Sequence, residues 1–133
     1  MAWENGLGVS HVGNFEAAVD LTASQYCIVQ LDATMKIALP SAQGIRGFGI
    51  LQNAPNVGET AAVMVFGVSR VKAKNNTNGT LLAVGRNVTA NGTDGHAEVA
   101  ASGDFVIGIA LEALTGDGEI FTAFINPSFI PLA

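Results

Sequence analysis

Hydrophobic positions along the chain recur in short stretches, mostly at a spacing of two. Tyr26–Leu31 is an apolar run holding the β-branched Ile28 and Val29. Thr34–Leu39 follows and is stopped by Pro40. Ile45–Gln52 alternates around Gly47 and Gly49, then meets the turn cluster Asn53–Gly58. Ala61–Lys74 is the longest predicted strand. Leu81–Val84 and Ala97–Ala101 are short candidates separated by a Gly/Asn/Thr-rich stretch. Phe105–Leu114 and Glu119–Asn126 are joined by Thr115-Gly116-Asp117-Gly118, where Asp-Gly suits a hairpin turn with positive φ. A helical pattern is limited to Asn14–Leu21, two turns with Asn14 as N-cap and Glu16 in the first turn. Many short strands with Gly-marked turns predict an all-β fold, a small β-barrel or sandwich-like domain.

Two strands carry finer expectations. In Phe105–Ala113 the odd positions Phe105, Ile107, Ile109, Leu111 and Ala113 form a predicted core-facing row. The opposite row, Val106, Gly108 and Ala110, is smaller and admits close approach by another layer. In Ala61–Lys74 one face stays apolar through Val63, Val65 and Val71. The other begins Met64, Phe66, Val68 and then turns to Arg70, Lys72 and Lys74. Those three cations read as a solvated strand end that discourages edge pairing. A docking patch for an acidic protein surface is the functional alternative, with phosphate binding a minor third.

Composition adds a constraint. Of 133 residues, 49% are hydrophobic and only 17 are charged, six Lys or Arg and eleven Asp or Glu. So few charges leave an isolated monomer with much apolar surface, which points to burial against other chains. The net charge of −5 argues against direct nucleic-acid binding, which needs cations to displace counterions from phosphate. The start of the chain lacks the basic and apolar regions of a signal peptide, and no apolar run approaches the length of a membrane span.

Candidate chemistry is thin. Cys27 is the single cysteine, so no intramolecular disulfide and no multi-thiolate metal site is expected. In an apolar strand it reads as a small core hydrophobe. His11 and His96 are isolated, Ser10 beside His11 makes no triad, and Gly44–Gly49 has its glycines in the wrong order for a phosphate loop. Asn91–Glu98 offers oxygen donors but misses the calcium-loop pattern and reads as a polar turn. Asn-x-Thr triplets at Asn75, Asn78, Asn87 and Asn91 read as Asn/Thr-rich loops. No catalytic residue, cofactor or metal is expected; the chain reads as non-enzymatic.

The ends stand out instead. Residues 1–24 hold Trp3, Leu7, Val9, Val12 and Phe15 among Gly, Asn and Ser, too sparsely for a core, and read as an extended N-terminal arm. Residues 25–126 make the β-barrel-like domain. Residues 127–133 form an extended apolar C-terminal tail with Phe129, Ile130 and Leu132, denied regular ladder bonding by Pro127 and Pro131. The tail packs either back onto its own barrel or across a subunit boundary. Trp3, Leu7, Val9, Phe15, Arg70, Lys72, Lys74, Phe129, Ile130 and Leu132 are the candidate contact residues.

The order of several segments carries a resemblance. Asp20–Leu31 is followed by Gly47-Phe-Gly-Ile-Leu-Gln-Asn-Ala-Pro-Asn-Val-Gly-Glu-Thr-Ala-Ala-Val63 and Gly67-Val-Ser-Arg-Val-Lys72. Gly85 with Val88 and Val106–Leu114 come next, before the terminal hairpin. Across residues 20–126 the chain resembles the tailed-phage capsid decoration family, also called cement or head-stabilising proteins. The resemblance implies a small barrel-like domain on the outer face of an icosahedral head, made in the bacterial host cytoplasm. Its implied partners are the major capsid protein and itself, as a homotrimer in the first place with a dimer as the alternative. It carries over no catalytic residue and does not reach the two ends. A β-sandwich module binding glycans or host surfaces is the alternative. The shortage of aromatics (one Trp, one Tyr) weighs against it.

Overall fold

The computed structural model describes residues 11–74, 82–114 and 118–133. Those residues fold into nine strands without a helix: β1 His11–Glu16, β2 Ile28–Leu31, β3 Ile37–Ala38, β4 Gly49–Leu51, β5 Thr60–Lys72, β6 Asn87–Ala90, β7 Ala97–Val99, β8 Gly108–Ala110 and β9 Ile120–Ile125. They form an antiparallel sheet in the order β3-β2-β4-β5-β9-β8-β6-β7, with β1 also paired to β5. The sheet curls into a half-barrel. A parallel bridge between Ala73 and Ala97, with Lys74 N–H donating to the Ala97 carbonyl at 2.8 Å, draws β7 back to the end of β5. The all-β expectation holds.

The long strand β5 is the spine because it serves two cores. Ala61 and Val63 pack with Ala17, Leu21, Val29, Ile37 and Leu51 in a smaller cluster. Met64 and Val71 belong to the larger one, with Ile28, Ile50, Val88, Ile107, Phe121 and Ile125. Val63 and Val71 have the same parity but enter different cores, which overturns the single apolar face expected through Val63, Val65 and Val71. The phase changes near Gly67, whose φ of 125° lies where side chains with a Cβ are rarely found. Before Gly67 both faces of β5 are covered; after it, buried Ser69 and Val71 alternate with outward Val68 and Arg70.

Strand β8 departs from expectation in a related way. Ile107 is buried, but Gly108 and Ala110 are also buried while Ile109 is 41% exposed and Leu111 43% exposed. The alternation slips at Ile107–Gly108, so the row of Ile and Leu splits between core and exterior. A Cβ at Gly108 would collide with the Phe124 carbonyl of β9. That close approach forces the small residues inward and turns Ile109 out.

Further differences concern local propensity. The predicted helical turns at Asn14–Leu21 are not formed: residues 11–16 are β1, in register with Phe66 through Thr60 of β5. Tertiary pairing outweighs a short helix signal, because two isolated turns are unstable by themselves. The sheet thus takes in part of the stretch expected as an arm. Leu82–Val84, from the strand predicted over Leu81–Val84, is not in a strand, while Asn87–Ala90 is β6 rather than loop. Thr115–Asp117 of the predicted hairpin tip lie outside the described residues, though β8 and β9 do pair antiparallel. Beneath β7, Gln43 donates to Glu98 at 2.9 Å and to Asp104 at 3.1 Å, giving these two buried carboxylates a shared partner.

Candidate interaction surface

The second half of β5, β9 and β8 present one outward face. Register places Val68 opposite Phe124 and Phe124 opposite Ile109, so the three form a row across three strands. The next row holds Arg70 opposite Thr122, whose carbonyl accepts from Leu111 N–H at 2.8 Å; the third holds Lys72 opposite Ile120. Val68, Ile109, Leu111 and Ile120 are all exposed. Phe124 is half-buried against Phe66, edge to face with centroids 5.3 Å apart. The result is an apolar stripe on the outside of the half-barrel with cations along one side.

Arg70 and Lys72 fall on that outward face by their pairing with Thr122 and Ile120, and Lys74 lies two residues past the end of β5. Arg70 and Lys74 are exposed, while Lys72 is half-buried and donates through Nζ to the Ala23 carbonyl at 3.2 Å. Phe15 lies inside the domain, packed on the smaller core and edge to face with Phe48 at 5.2 Å. Trp3, Leu7 and Val9 lie outside the described residues.

The C-terminal tail is fastened back onto its own domain. Val106 N–H donates to Ser128 Oγ at 3.0 Å and Ser128 N–H to the Val106 carbonyl at 2.8 Å. Leu132 N–H donates to the Asp104 carbonyl and accepts at its own carbonyl from Gly103 N–H. Between these anchors Phe129 is 78% exposed and Ile130 75% exposed, while Leu132 is half-buried. The Phe129 ring lies over the Arg46 guanidinium, 4.7 Å from its carbon to the ring centroid.

Cys27 is buried, and burial pushes its thiol up to about 11, opposed in part by the pull of Lys72, with Asp94 adding least to the rise. His96 sits in the Asn91–Glu98 turn, its N–H bonded to Asp94 at 2.9 Å. Among the described residues no group of three or more metal-ligating side chains gathers, and no helix is long and apolar enough to cross a membrane.

The residues missed from the sequence are Ile109, Leu111 and Phe124 on the stripe and Arg46 and Phe48 beside the tail. The smallness of Gly108 and Ala110 was the available signal for the first two. Small residues mark the side where another strand comes close, and here that side is the core.

The family model described as phage cement protein matches residues 10–125, from just before β1 to the end of β9. Among solved structures, the chain is similar to the head fiber gp8.5 N base of bacteriophage phi29, with a TM-score of 0.64 and 18% sequence identity. That alignment covers 94% of this chain and 99% of the other. At such low identity the likeness is one of fold. No curated protein matches the chain significantly. The family match takes in the whole described sheet and agrees with the segments that carried the resemblance: the chain belongs to the phage cement protein family, with a structural role at the phage capsid.

Proposed function

We propose that the protein binds the outer surface of an icosahedral phage head through the outward face of β5, β9 and β8, stabilising the shell against internal DNA pressure. The observation that carries this reading is the row Val68–Phe124–Ile109, continued by Leu111 and Ile120, left uncovered on a rigid three-strand platform. Exposed apolar side chains grouped on one face mark an interaction surface. Arg70 beside them favours an acidic patch on the major capsid protein and sets the orientation of docking. A ligand that binds only the assembled shell stabilises it by mass action, and many copies act together. A homotrimer on the shell would multiply each contact threefold. Catalysis has no part in this role. A glycan-binding role gains no support, since Phe129 is the one exposed aromatic among the described residues.

Replacing Val68→Asp and Ile109→Asp together tests the face. Both side chains are already about two-fifths exposed, so the domain should stay folded, with stability changed by no more than about 1 kcal/mol. Head binding, measured by co-sedimentation, should fall at least tenfold. Unchanged binding by the folded double variant would remove this face from the account.

A further inference from the structure

Two residues other than glycine hold a left-handed backbone among the described residues, Met35 at a φ of 65° and Tyr26 at 69°. Met35 sits in the exposed turn before β3, at the far edge of the sheet. The surroundings of Tyr26 are different. It is the third residue of the turn Ser24–Cys27, closed by Cys27 N–H donating to the Ser24 carbonyl at 3.0 Å. With positive φ that position ordinarily takes glycine. For a bulky aromatic residue the conformation is an outlier, kept only where the surroundings over-determine it.

Here they do. Tyr26 N–H donates to the Leu51 carbonyl at 2.7 Å, at the end of β4, and the Tyr26 carbonyl accepts from Lys72 N–H at 2.8 Å, at the end of β5. Gln25 Nε2 donates to the Gln52 carbonyl at 3.0 Å, and Lys72 Nζ reaches the Ala23 carbonyl at 3.2 Å. The turn is therefore fastened along the flank of β5 opposite β9, beside the row Lys72–Ile120. It stands as a fourth column next to β8, β9 and β5. Tyr26 is half-buried, and none of the described residues pairs with its hydroxyl. Glycine or asparagine would close the same turn with less strain. The fold thus carries the ring at a cost. Tyrosine joins a large apolar ring to a hydroxyl donor, and it is enriched among the residues that dominate interfaces.

We infer that Tyr26 is an anchor of the head-docking face. Its ring packs on the part of the shell that meets the apolar stripe, and its hydroxyl donates to the acidic patch that faces Arg70. This rests on the head-binding reading and extends the face beyond the sheet, onto a turn held ready for contact.

Tyr26 is the only tyrosine, so nitration of the full-length protein, mapped by peptide mass, reports on it alone. Free protein should be nitrated at Tyr26, and protein bound to stripped heads should be protected severalfold. Tyr26→Gly and Tyr26→Asn relieve the backbone, so both should unfold at the same or a higher urea concentration than wild type. Both should nevertheless bind heads roughly fivefold more weakly, or worse, in co-sedimentation. Equal nitration of free and head-bound protein would overturn the inference. So would unchanged head binding by either folded variant. Earlier unfolding of both variants would overturn it as well, by making the ring a packing residue. The double variant Val68→Asp with Ile109→Asp separates the two readings. If it loses binding while the Tyr26 variants keep it, the sheet face stands and Tyr26 leaves it; if all three bind as wild type does, both readings fail.

Discussion

Cys27 begins the loop-to-strand passage into β2 and is 1% exposed. Burial disfavours its thiolate and raises the thiol from its ordinary value of 9.0 to about 11. The sign follows from linkage. In the unfolded chain the thiol ionises near 9, while the folded chain keeps it neutral. Its contribution to stability is thus complete below pH 9 and is lost as pH rises toward 11. Cys27→Ala should flatten that part of the stability–pH curve, and the native thiol should resist labelling at pH 8 until urea exposes it. Fast labelling of native protein would contradict the burial. Met35 offers the opposite kind of residue, 64% exposed and held at a φ of 65° in the turn between β2 and β3. Asn tolerates that conformation far better. Met35→Asn should therefore raise stability by about 0.5–1 kcal/mol in urea titration, with little burial to lose. Burial at Cys27 is legible in its apolar neighbours, whereas nothing in Asp32–Lys36 announces a methionine in a left-handed turn.

At the scale of elements, close strand approach decides which side chains face outward. Gly108 lies against the Phe124 carbonyl, so adding a single methyl forces β8 and β9 apart. Gly108→Ala should cost roughly 1–3 kcal/mol as an overpacked site and should perturb the stripe through Ile109. A neutral result in thermal unfolding would mean the strands have slack. The same contact explains what was and was not readable beforehand. β2, β3, β4, β7, β8 and β9 fall within the predicted runs, and β5 does so except for Thr60, because β-branched and apolar residues cluster there. β6 was hidden because Asn87–Ala90 resembles loop composition; Val88 is buried and Thr89 is buried with its hydroxyl donating to the Phe105 carbonyl at 2.7 Å. β1 was hidden because its register partner lies some fifty residues away, and local spacing carries no trace of that pairing. The outward placement of Ile109 and Leu111 depends on a slip in alternation at Ile107–Gly108. Strict period-two reading assigns them to the core, so these two positions of the candidate docking face are misread.

For the whole molecule, the half-barrel combines a satisfied interior with an apolar exterior stripe, a division that suits a protein acting by surface contact. Two cores share β5, so the platform under Val68, Phe124 and Ile109 is braced by the larger core from behind and by the smaller one along the strand. Such a platform loses little freedom on docking, which favours tight binding from a small area. By composition the arm and tail read as regions apart from the main sheet pattern. Yet the tail proves to be bonded onto the domain through Ser128 and Leu132, and six residues of the presumed arm are a strand. Contact with a head is best tested by mixing purified protein with expanded heads stripped of it and measuring co-sedimentation. Saturable binding at a fixed ratio to the major capsid protein, with raised resistance of the heads to heat, is the predicted result. Absence of binding to the cognate shell at micromolar protein would contradict the account.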